Sequence, residues 1–462
     1  MYHFPKREVV SGTQRIKDLQ VNTAGKQERA LVCNLMEHVI NPKNIWIAYK
    51  QVKQNKGAGG IDDMQVEDFA GWFKEQGSKL VNELRNGNYH PQAVRLVEIP
   101  KPNGGVRRLG IPTVKDRVIQ QAISQVLSPI YEAEFSPSSY GFRPNRSAHQ
   151  ALQKASEYVS SGRTVVVDID LKNFFDAVNH DRLMYRLSTL IGDKSLLKLI
   201  RKYLQSGIMI DGVVSQRTKG TPQGSPLSPL LSNIVLDELD KELERRGHSF
   251  VRYADDCNIF VRSQKAGERV MQTLGGFIEN KLKLTINQEK SKVCEVSESK
   301  FLGYTILNDG ILTISKPSIE RIKTKIRQLT RRNKGVKLEQ IISELNPVLR
   351  GWLNYFRYAQ CHKFVQNLDA WIRRKLRCYR IKQCKLVQTL QQFLQRQGVE
   401  KWQSWILALS GKGYWRKSSC PQSNQAMGRE WFQQLGLYNL TFNYETFNYL
   451  QKPPCTKVRT VV

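Results

Sequence analysis

The sequence predicts an α+β fold: an antiparallel sheet backed by helices, followed by a region that is entirely helical. Residues 94–109, 163–171 and 250–261 have the alternating or β-branched pattern of strands, and helical stretches lie between and around them. Strands mixed with helices in this order are typical of ferredoxin-like units. A chain of 462 residues is also longer than one hydrophobic core usually supports, so we expect two or three domains.

The first strand pair is predicted at residues 94–109, VRLVEIPKPNGGVRRL. Two alternating runs flank a Pro-Asn-Gly-Gly turn, which indicates a β-hairpin with Lys101 and Arg107 beside its tip. Residues 56–63, KGAGGIDD, form a glycine-rich turn ahead of it. This turn is weak evidence for a phosphate site, because glycine clusters are commonly plain turns.

The next two strand segments both carry aspartates. Residues 163–176, RTVVVDIDLKNFFD, are a β-branched run that ends in acids, and residues 250–261, FVRYADDCNIFV, predict a hairpin with two aspartates at its tip. Carboxylates on neighbouring strands can hold two Mg²⁺ ions ~4 Å apart, as nucleotidyl transfer requires. We expect Asp170 and Asp255 to bridge such ions. For Asp168 and Asp176 an ordinary cap or surface role is favoured.

The region from about residue 316 has helical periodicity and a strong positive charge. Residues 311–462 hold 28 basic and 7 acidic side chains, or +21 of the total +31. A solvated helix face normally mixes both signs, so the excess favours a nucleic-acid partner. Between Ile319 and Leu329 the apolar residues share one helix face, and basic residues cover the other.

Other classes of protein are disfavoured by composition. No run reaches the ~18 apolar residues of a membrane span, and the first residues lack the apolar core of a signal peptide. The eight cysteines are scattered, without a Cys-x-x-Cys pair or zinc spacing. We therefore expect a soluble cytoplasmic protein with reduced thiols and no membrane partner.

A series of motifs then resembles one known family. Tyr253 to Asp256 is similar to the Tyr-x-Asp-Asp box of reverse transcriptases, and Thr221 to Asn233, TPQGSPLSPLLSN, resembles the preceding box of group II intron enzymes. Further matching boxes follow the family order at 99–102 with Arg107, 139–144 (SYGFRP), 284–292, 301–304 (FLGY) and 349–356 (LRGWLNYF). The chain thus resembles bacterial-type group II intron-encoded reverse transcriptases and maturases over about residues 40–390.

The resemblance implies a right-hand polymerase fold with a ferredoxin-like palm and helical fingers and thumb. The implied division is an N-terminal extension (1–40), fingers (41–160), a palm (161–310) with a fingers insertion near 190–215, a thumb or maturase domain (316–390) and a basic nucleic-acid-binding region (391–462). We expect no Cys/His-containing HNH endonuclease domain after residue 390. The tryptophans of this last region fit either stacking on nucleic acid or a small packed helical domain.

Roles for individual residues also follow from the resemblance. Asp170, Asp255 and Asp256 are the implied catalytic carboxylates and ligands of two Mg²⁺ ions, with Mn²⁺ as a substitute and the Ile169 carbonyl as a further ligand. The implied dNTP-binding residues are Lys101, Arg107, Phe175, Gln223 and Lys290. Phe175 matches the steric gate against a ribose 2′-hydroxyl, although an aromatic beside a strand end is commonly core. The expected nucleic-acid-binding residues are Arg143, Arg321, Lys325, Arg350, Tyr355, Arg373, Arg374 and Arg377.

The implied function is RNA-directed DNA synthesis combined with binding of group II intron RNA for splicing and mobility. The implied partners are intron RNA, an RNA template with a DNA or RNA primer, dNTPs and target DNA; a homodimer is left open. Two alternatives remain: a maturase that acts mainly as an RNA-binding splicing factor, and a domesticated enzyme of DNA repair or phage defence. Phe175 argues against an RNA-dependent RNA polymerase.

Overall fold

The computed structural model describes residues 21–22, 31–100, 105–210 and 213–451, and the chain divides into two units, residues 1–295 and 296–462. The strands of the first unit are β1 (Val21–Asn22), β2 (Leu31–Val32), β3 (Val94–Pro100), β4 (Val106–Ile111), β5 (Val165–Ile169), β6 (Ile208–Ile210), β7 (Val213–Ser215), β8 (Ser249–Tyr253), β9 (Asp256–Val261) and β10 (Lys292–Glu295). Its helices are α1 (Leu35–Ile40), α2 (Pro42–Gln54), α3 (Phe69–Arg85), α4 (Val114–Glu132), α5 (Ala148–Ser160), α6 (Phe174–Ala177), α7 (His180–Ser188), α8 (Lys194–Gln205), α9 (Ser228–Arg245) and α10 (Gln264–Phe277), which continues as a π-helix (Ile278–Leu282).

The second unit is mostly helical. It contains a 3₁₀ turn (Val296–Glu298), the strands β11 (Tyr304–Ile306) and β12 (Leu312–Ile314), and the helices α11 (Lys316–Leu329), α12 (Leu338–Phe356), α13 (His362–Gln383), α14 (Val387–Arg396), α15 (Lys401–Leu409), α16 (Tyr414–Lys417), α17 (Pro421–Ala426), α18 (Arg429–Gln434) and α19 (Leu440–Gln451). Among the helices of the described ranges, none is both long enough and apolar enough to cross a bilayer.

The central sheet of the first unit has four antiparallel strands in the order β10-β5-β9-β8. Along the chain its elements run β5, α9, β8, β9, α10, β10, which is the β-α-β-β-α-β order of a ferredoxin-like unit. The helix α10 approaches the sheet closely at Gly267, where a Cβ would lie 2.4 Å from Cγ1 of Val293. The predicted antiparallel sheet backed by helices is confirmed.

A second sheet of the same unit has the order β4-β3-β6-β7. The predicted hairpin β3–β4 is present, paired from Arg95 with Ile111 to Pro100 with Val106, while most of its turn lies outside the described residues. The short hairpin β6–β7 was not predicted. It extends this sheet through a parallel pairing of β6 with β3 at Val94 and Ile208.

The second unit confirms the predicted change to helical structure. Ile322 and Ile326 of α11 are buried, and the basic residues between them are exposed or half-buried. The unit begins after Glu295, earlier than the expected boundary after residue 310, and β11 pairs with β12 in a sheet of its own. Tyr304 of β11 is fully buried, with its ring centroid 5.0 Å from that of Phe356 in α12.

Residues 391–451 form a packed helical region. Met427, Phe432 and Leu440 are buried, so this part of the chain has apolar contacts of its own. Trp431 packs edge-on against Phe432, with ring centroids 4.9 Å apart. Other aromatic side chains of this region remain exposed, and these are considered below.

Candidate active site

Three aspartates lie at one edge of the central sheet. The pairing of β5 with β9 runs from Val165 opposite Val261 to Ile169 opposite Cys257. One step further along this register places Asp170 opposite Asp256, and directly paired residues of antiparallel strands have Cα atoms roughly 4.5–5.5 Å apart. Asp255 lies in the adjoining two-residue turn between β8 and β9, which the pair Tyr253–Asp256 closes.

The backbone and carboxylate of Asp170 are held by the segment 287–291. The Asp170 N–H donates to Oγ of Ser291 at 3.0 Å, and the Asp170 carbonyl accepts from the Asn287 N–H at 2.8 Å. The amide of Asn287 also donates to the Asp170 carboxylate at 3.1 Å. Lys290, an expected dNTP-binding residue, is exposed with its Nζ 3.9 Å from that carboxylate.

The donor chemistry at this edge suits a divalent cation. Carboxylate oxygens are the ligands that Mg²⁺ prefers, and Asp170 is partly accessible beside the exposed Asp256. Within the described ranges, no three His, Cys, Asp or Glu side chains converge closely enough to form a metal cluster on their own. Ile169, the last residue of β5, is buried, so any contribution from it would come through its backbone carbonyl.

A buried arginine supports the turn that carries Asp255. Arg252 and its partner Asp240 are both 0% exposed, and the guanidinium binds the carboxylate through two hydrogen bonds of 2.7 and 2.5 Å. The same guanidinium donates to the carbonyl of Ala254 at 2.8 Å and to Oδ1 of Asn233 at 2.9 Å. Ala254 has a positive φ of 58°, a conformation that costs an L-residue roughly 1–2 kcal/mol. Arg252 therefore helps to hold the strained turn that carries Asp255, an expected catalytic residue.

The segment 139–144 packs directly beneath the same turn. The Tyr140 N–H donates to the Arg252 carbonyl at 2.9 Å, and the Gly141 carbonyl accepts from the Asn233 amide at 2.9 Å. A Cβ at Gly141 would lie 2.2 Å from the backbone nitrogen of Ala254, so only glycine allows this approach. This motif has a positioning role that its sequence alone did not reveal.

Three of the expected nucleotide-binding residues meet at the loop 219–226. Nε of Arg107 donates to Oε1 of Gln223 at 3.0 Å, and the Gln223 carbonyl accepts from the Gly110 N–H of β4 at 2.8 Å. On the other side of the loop, the Thr221 N–H donates to the Phe175 carbonyl at 2.6 Å. Lys101 lies outside the described residues.

Phe175 itself is only partly buried. It packs edge-on against Phe174, with ring centroids 5.3 Å apart, and Phe174 is the ring that fills the core. The backbone of Phe175 lies close to Gly220, where a Cβ would be 3.0 Å from the Phe175 carbonyl oxygen. The backbone of Phe175 therefore lies beside the loop 219–226, while its ring packs partly against the core and keeps part of its surface accessible.

Two of the expected nucleic-acid-binding arginines instead face the protein interior. Arg143 is buried, bound to Glu132 at 2.6 Å and to the carbonyls of Ser136 and Ser139. Arg377 is buried as well, with its Nε donating to the Ser418 carbonyl at 2.9 Å. Both expectations are corrected, because a guanidinium whose donors are used inside the fold is not available to a phosphate.

The hydroxyl of Tyr355 has a similar internal role. It donates to the Leu302 carbonyl at 2.8 Å, and its ring packs against Tyr304 and Phe356. Tyr355 thus links α12 to the segment before β11, and its expected contact with nucleic acid stays a prediction.

The remaining expected residues present their charge outward or near the surface. Arg321, Lys325 and Arg350 are exposed, and Arg350 lies over the Tyr438 ring at 5.4 Å from its centroid. Arg373 and Arg374 are half-buried, and burial lowers the pKa of Arg373. Burial, together with the charges of Arg373 and Arg374, lowers the pKa of Arg377 to about 10. Positive charge is therefore concentrated on α13.

The supporting residues Arg252, Asp240, Asn287 and Ser291 were missed as functional candidates by sequence reasoning. One signal was present for the first of them: a lone arginine within the apolar strand FVRY indicates a buried ion pair. No local pattern predicts its partner Asp240, because the pairing depends on the packing of α9 against β8.

Comparison with known proteins assigns the chain to a family. Residues 99–306 match the model described as reverse transcriptase (RNA-dependent DNA polymerase), and residues 319–398 match the group II intron maturase-specific domain. Protein YkfC of Escherichia coli K12 is 31% identical over an alignment of 349 residues, and the match covers 67% of this chain and 91% of YkfC. The group II intron-encoded protein LtrA of Lactococcus lactis is 32% identical over an alignment of 340 residues, and the match covers 59% of this chain and 56% of LtrA.

A solved structure titled as a partial Cas6-RT-Cas1–Cas2 complex is also similar, at 29% identity and a TM-score of 0.36, covering 54% of this chain and 43% of that one. The two matched models define the class as RNA-dependent DNA polymerases with an attached maturase region. Within that class, the chain belongs to the reverse transcriptases of the group II intron type.

Proposed function

We propose that this chain copies RNA into DNA at the edge of the central sheet, with Asp170, Asp255 and Asp256 as its catalytic carboxylates. The observation that carries this proposal is the register of β5 with β9, which brings aspartates from two distant parts of the sequence to the same sheet edge. Carboxylates from neighbouring strands can together bind the divalent cations that nucleotidyl transfer requires.

The three carboxylates would hold two Mg²⁺ ions, or Mn²⁺ in their place, with the Ile169 carbonyl as a further ligand. When bound, such ions activate the primer 3′-hydroxyl and neutralise the triphosphate charge. Asn287 and Ser291 fix the backbone of Asp170, and Arg252 fixes the turn of Asp255. The site is thereby preorganised before substrate arrives.

The loop 219–226 and its neighbours would receive the incoming dNTP. Arg107 and Lys290, together with Lys101, supply cations for the triphosphate as charge-assisted donors. Gln223, which accepts a hydrogen bond from Arg107, would exchange that bond for one with nucleotide or template. The partly accessible ring of Phe175 would exclude a ribose 2′-hydroxyl.

The second unit would bind intron RNA and support splicing and mobility, including recognition of a DNA target. Support comes from the maturase-domain match over residues 319–398 and from the excess of +21 carried by residues 311–462. Exposed cations on α11 and α12, such as Arg321, Lys325 and Arg350, would contact phosphates.

Primer extension tests the polymerase proposal directly. The purified chain, given a DNA primer on an RNA template with dNTPs and Mg²⁺, should extend the primer, and a chelator should stop the reaction. Asp170→Asn should abolish extension as well, because it removes a ligand charge. Asp181→Asn is the matched control: Asp181 makes an exposed ion pair with Arg201 in the same unit. Absence of extension by folded wild-type protein would refute the proposal.

A further inference from the structure

The second unit contains a cavity of about 630 Å³ beside the end of α11, between α13 and α16. Five cationic side chains line it: Arg327, Arg331, Arg332, Lys375 and Lys382. In the part of the chain that the structure describes, no carboxylate belongs to its lining. Volumes of this size are usual for small-ligand sites.

The charges around this cavity are poorly neutralised from within the protein. Burial lowers the pKa of Lys375, and the neighbouring charges of Arg327 and Arg332 lower it further. The carboxylate of Glu320 lies 3.7 Å from Arg327, but both side chains are more than half exposed, and such pairs are weak. Like charges gathered around a cavity in this way favour an anionic ligand, and guanidinium groups suit phosphate in particular.

Aromatic rings stand beside these cations. Tyr414 and Trp415 of α16 line the cavity, and Trp415 is 41% exposed. The guanidinium of Arg374 lies 4.0 Å from the centroid of the Trp415 ring, and one of its Nη atoms donates to the Trp415 carbonyl at 3.3 Å. The ring is thus held in place while much of its surface remains free. An ordered, exposed indole next to phosphate-binding groups is a platform for a stacked base.

We propose that this cavity takes one unstacked nucleotide of a single-stranded nucleic acid, with its phosphate on Arg331, Arg332 and Lys375 and its base on Trp415. The inference rests on the proposed nucleic-acid binding of the second unit and narrows it to one site. The site joins cations from the maturase-matched segment with aromatics beyond residue 398, where that match ends.

Photocrosslinking of the full chain to an eight-nucleotide oligomer that carries 5-iodouracil tests the location. RNA and DNA versions of the oligomer form two arms. We expect crosslinks on the peptide that contains Tyr414 and Trp415, and their loss in Trp415→Leu. Trp402→Leu is the matched control, because Trp402 is 63% exposed in the same region but does not line the cavity. Crosslinks confined to other peptides would overturn the proposal.

Oligomer affinity, measured by fluorescence anisotropy, tests the phosphate site. Arg331→Gln with Arg332→Gln should weaken binding roughly tenfold and reduce its salt dependence. The control Lys363→Gln with Lys401→Gln removes the same charge from exposed positions outside the cavity and should change affinity much less. Equal losses of affinity in the two double variants would mean that binding depends only on net charge, and the proposed site would be rejected.

Comparison of the RNA and DNA oligomers shows which kind of nucleic acid supplies the nucleotide. Equal binding of RNA and DNA means that phosphate and base alone are recognised, and preference for RNA adds a contact to the 2′-hydroxyl. Either result supports the site if the crosslink maps to Trp415. Crosslinking does not depend on polymerase activity, so Asp255→Asn should keep it, and failure of the site is distinguishable from failure of the proposed polymerase.

Discussion

At the scale of single residues, the buried pair of Arg252 and Asp240 shows how a charge far from solvent can support the turn of the proposed catalytic residue Asp255. Its net contribution to stability is small in general, because desolvation offsets the attraction. What the pair supplies here is geometry: the same guanidinium reaches the carbonyl of Ala254, which precedes Asp255. Loss of the arginine therefore affects both the stability of the fold and the position of the turn.

Replacement of Arg252 with Met should lower the free energy of unfolding by about 3–5 kcal/mol, because the Asp240 carboxylate is left buried without its partner. Urea denaturation measures this change. Arg245→Met is the control, since Arg245 is largely exposed in its pair with Glu242 and such pairs contribute little to stability. Equal stability of the two variants would show that Arg252 is not needed to neutralise Asp240.

Phe175 gives a second test at this scale. Phe175→Ala should raise ribonucleotide incorporation relative to dNTP incorporation, because it opens space beside the loop 219–226. Primer extension with each class of nucleotide measures the ratio. Phe277→Ala, a half-buried aromatic at the end of α10, is the control and should leave the ratio unchanged. If the ratio is also unchanged in Phe175→Ala, the ring has only a packing role.

At the scale of elements, the sequence predicted the strands and helices that have a clear periodicity of apolar residues or a distinctive turn. The hairpin β8–β9, the strand β5 and the helix α11 were all recognised, because each has a run of apolar residues at one spacing. The hairpin β6–β7 was missed, since three-residue strands are too short to show alternation. The strand β10 was missed because its sequence, KVCE, is mixed in polarity and its pairing with β5 is a tertiary contact.

The sequence did not reveal which basic residues are buried. Arg143 and Arg377 look like phosphate contacts in the sequence, yet both end inside the protein, where backbone carbonyls accept their hydrogen bonds. The aspartates were easier to place, because strand ends and a turn with two acids have a predictable position. Even so, it is only the strand register, extended one step beyond the pair of Ile169 and Cys257, that brings Asp170 opposite Asp256.

The basic face of α11 provides the prediction at this scale. Arg321→Gln with Lys325→Gln should weaken binding of intron RNA and lower the slope of log affinity against log salt by about 0.7 for each phosphate that these side chains no longer neutralise. Filter binding at several salt concentrations measures the slope. Lys74→Gln with Lys79→Gln is the control, because it removes equal charge from exposed positions on α3. Unchanged slopes for the α11 variant would move the RNA-binding surface elsewhere.

At the scale of the whole molecule, the proposed catalytic aspartates and most of the net positive charge lie in different parts of the chain. The three aspartates lie in the first unit, whereas residues 311–462 carry +21 of the +31. A substitution in the first unit can therefore remove catalysis while the cations proposed to bind RNA remain. Such a substitution can therefore distinguish a polymerase that binds RNA from a protein that only binds RNA.

The most direct test of the account is Asp255→Asn, measured for cDNA synthesis and for intron RNA affinity in the same preparation. The substitution keeps side-chain size and turn preference but removes a charge assigned to metal binding. Because that loss costs several kcal/mol in the transition state, cDNA synthesis should fall roughly a thousandfold or more, with RNA affinity nearly unchanged. Asp181→Asn should match wild type in both measurements. Primer extension by Asp255→Asn at near wild-type rate would contradict the account.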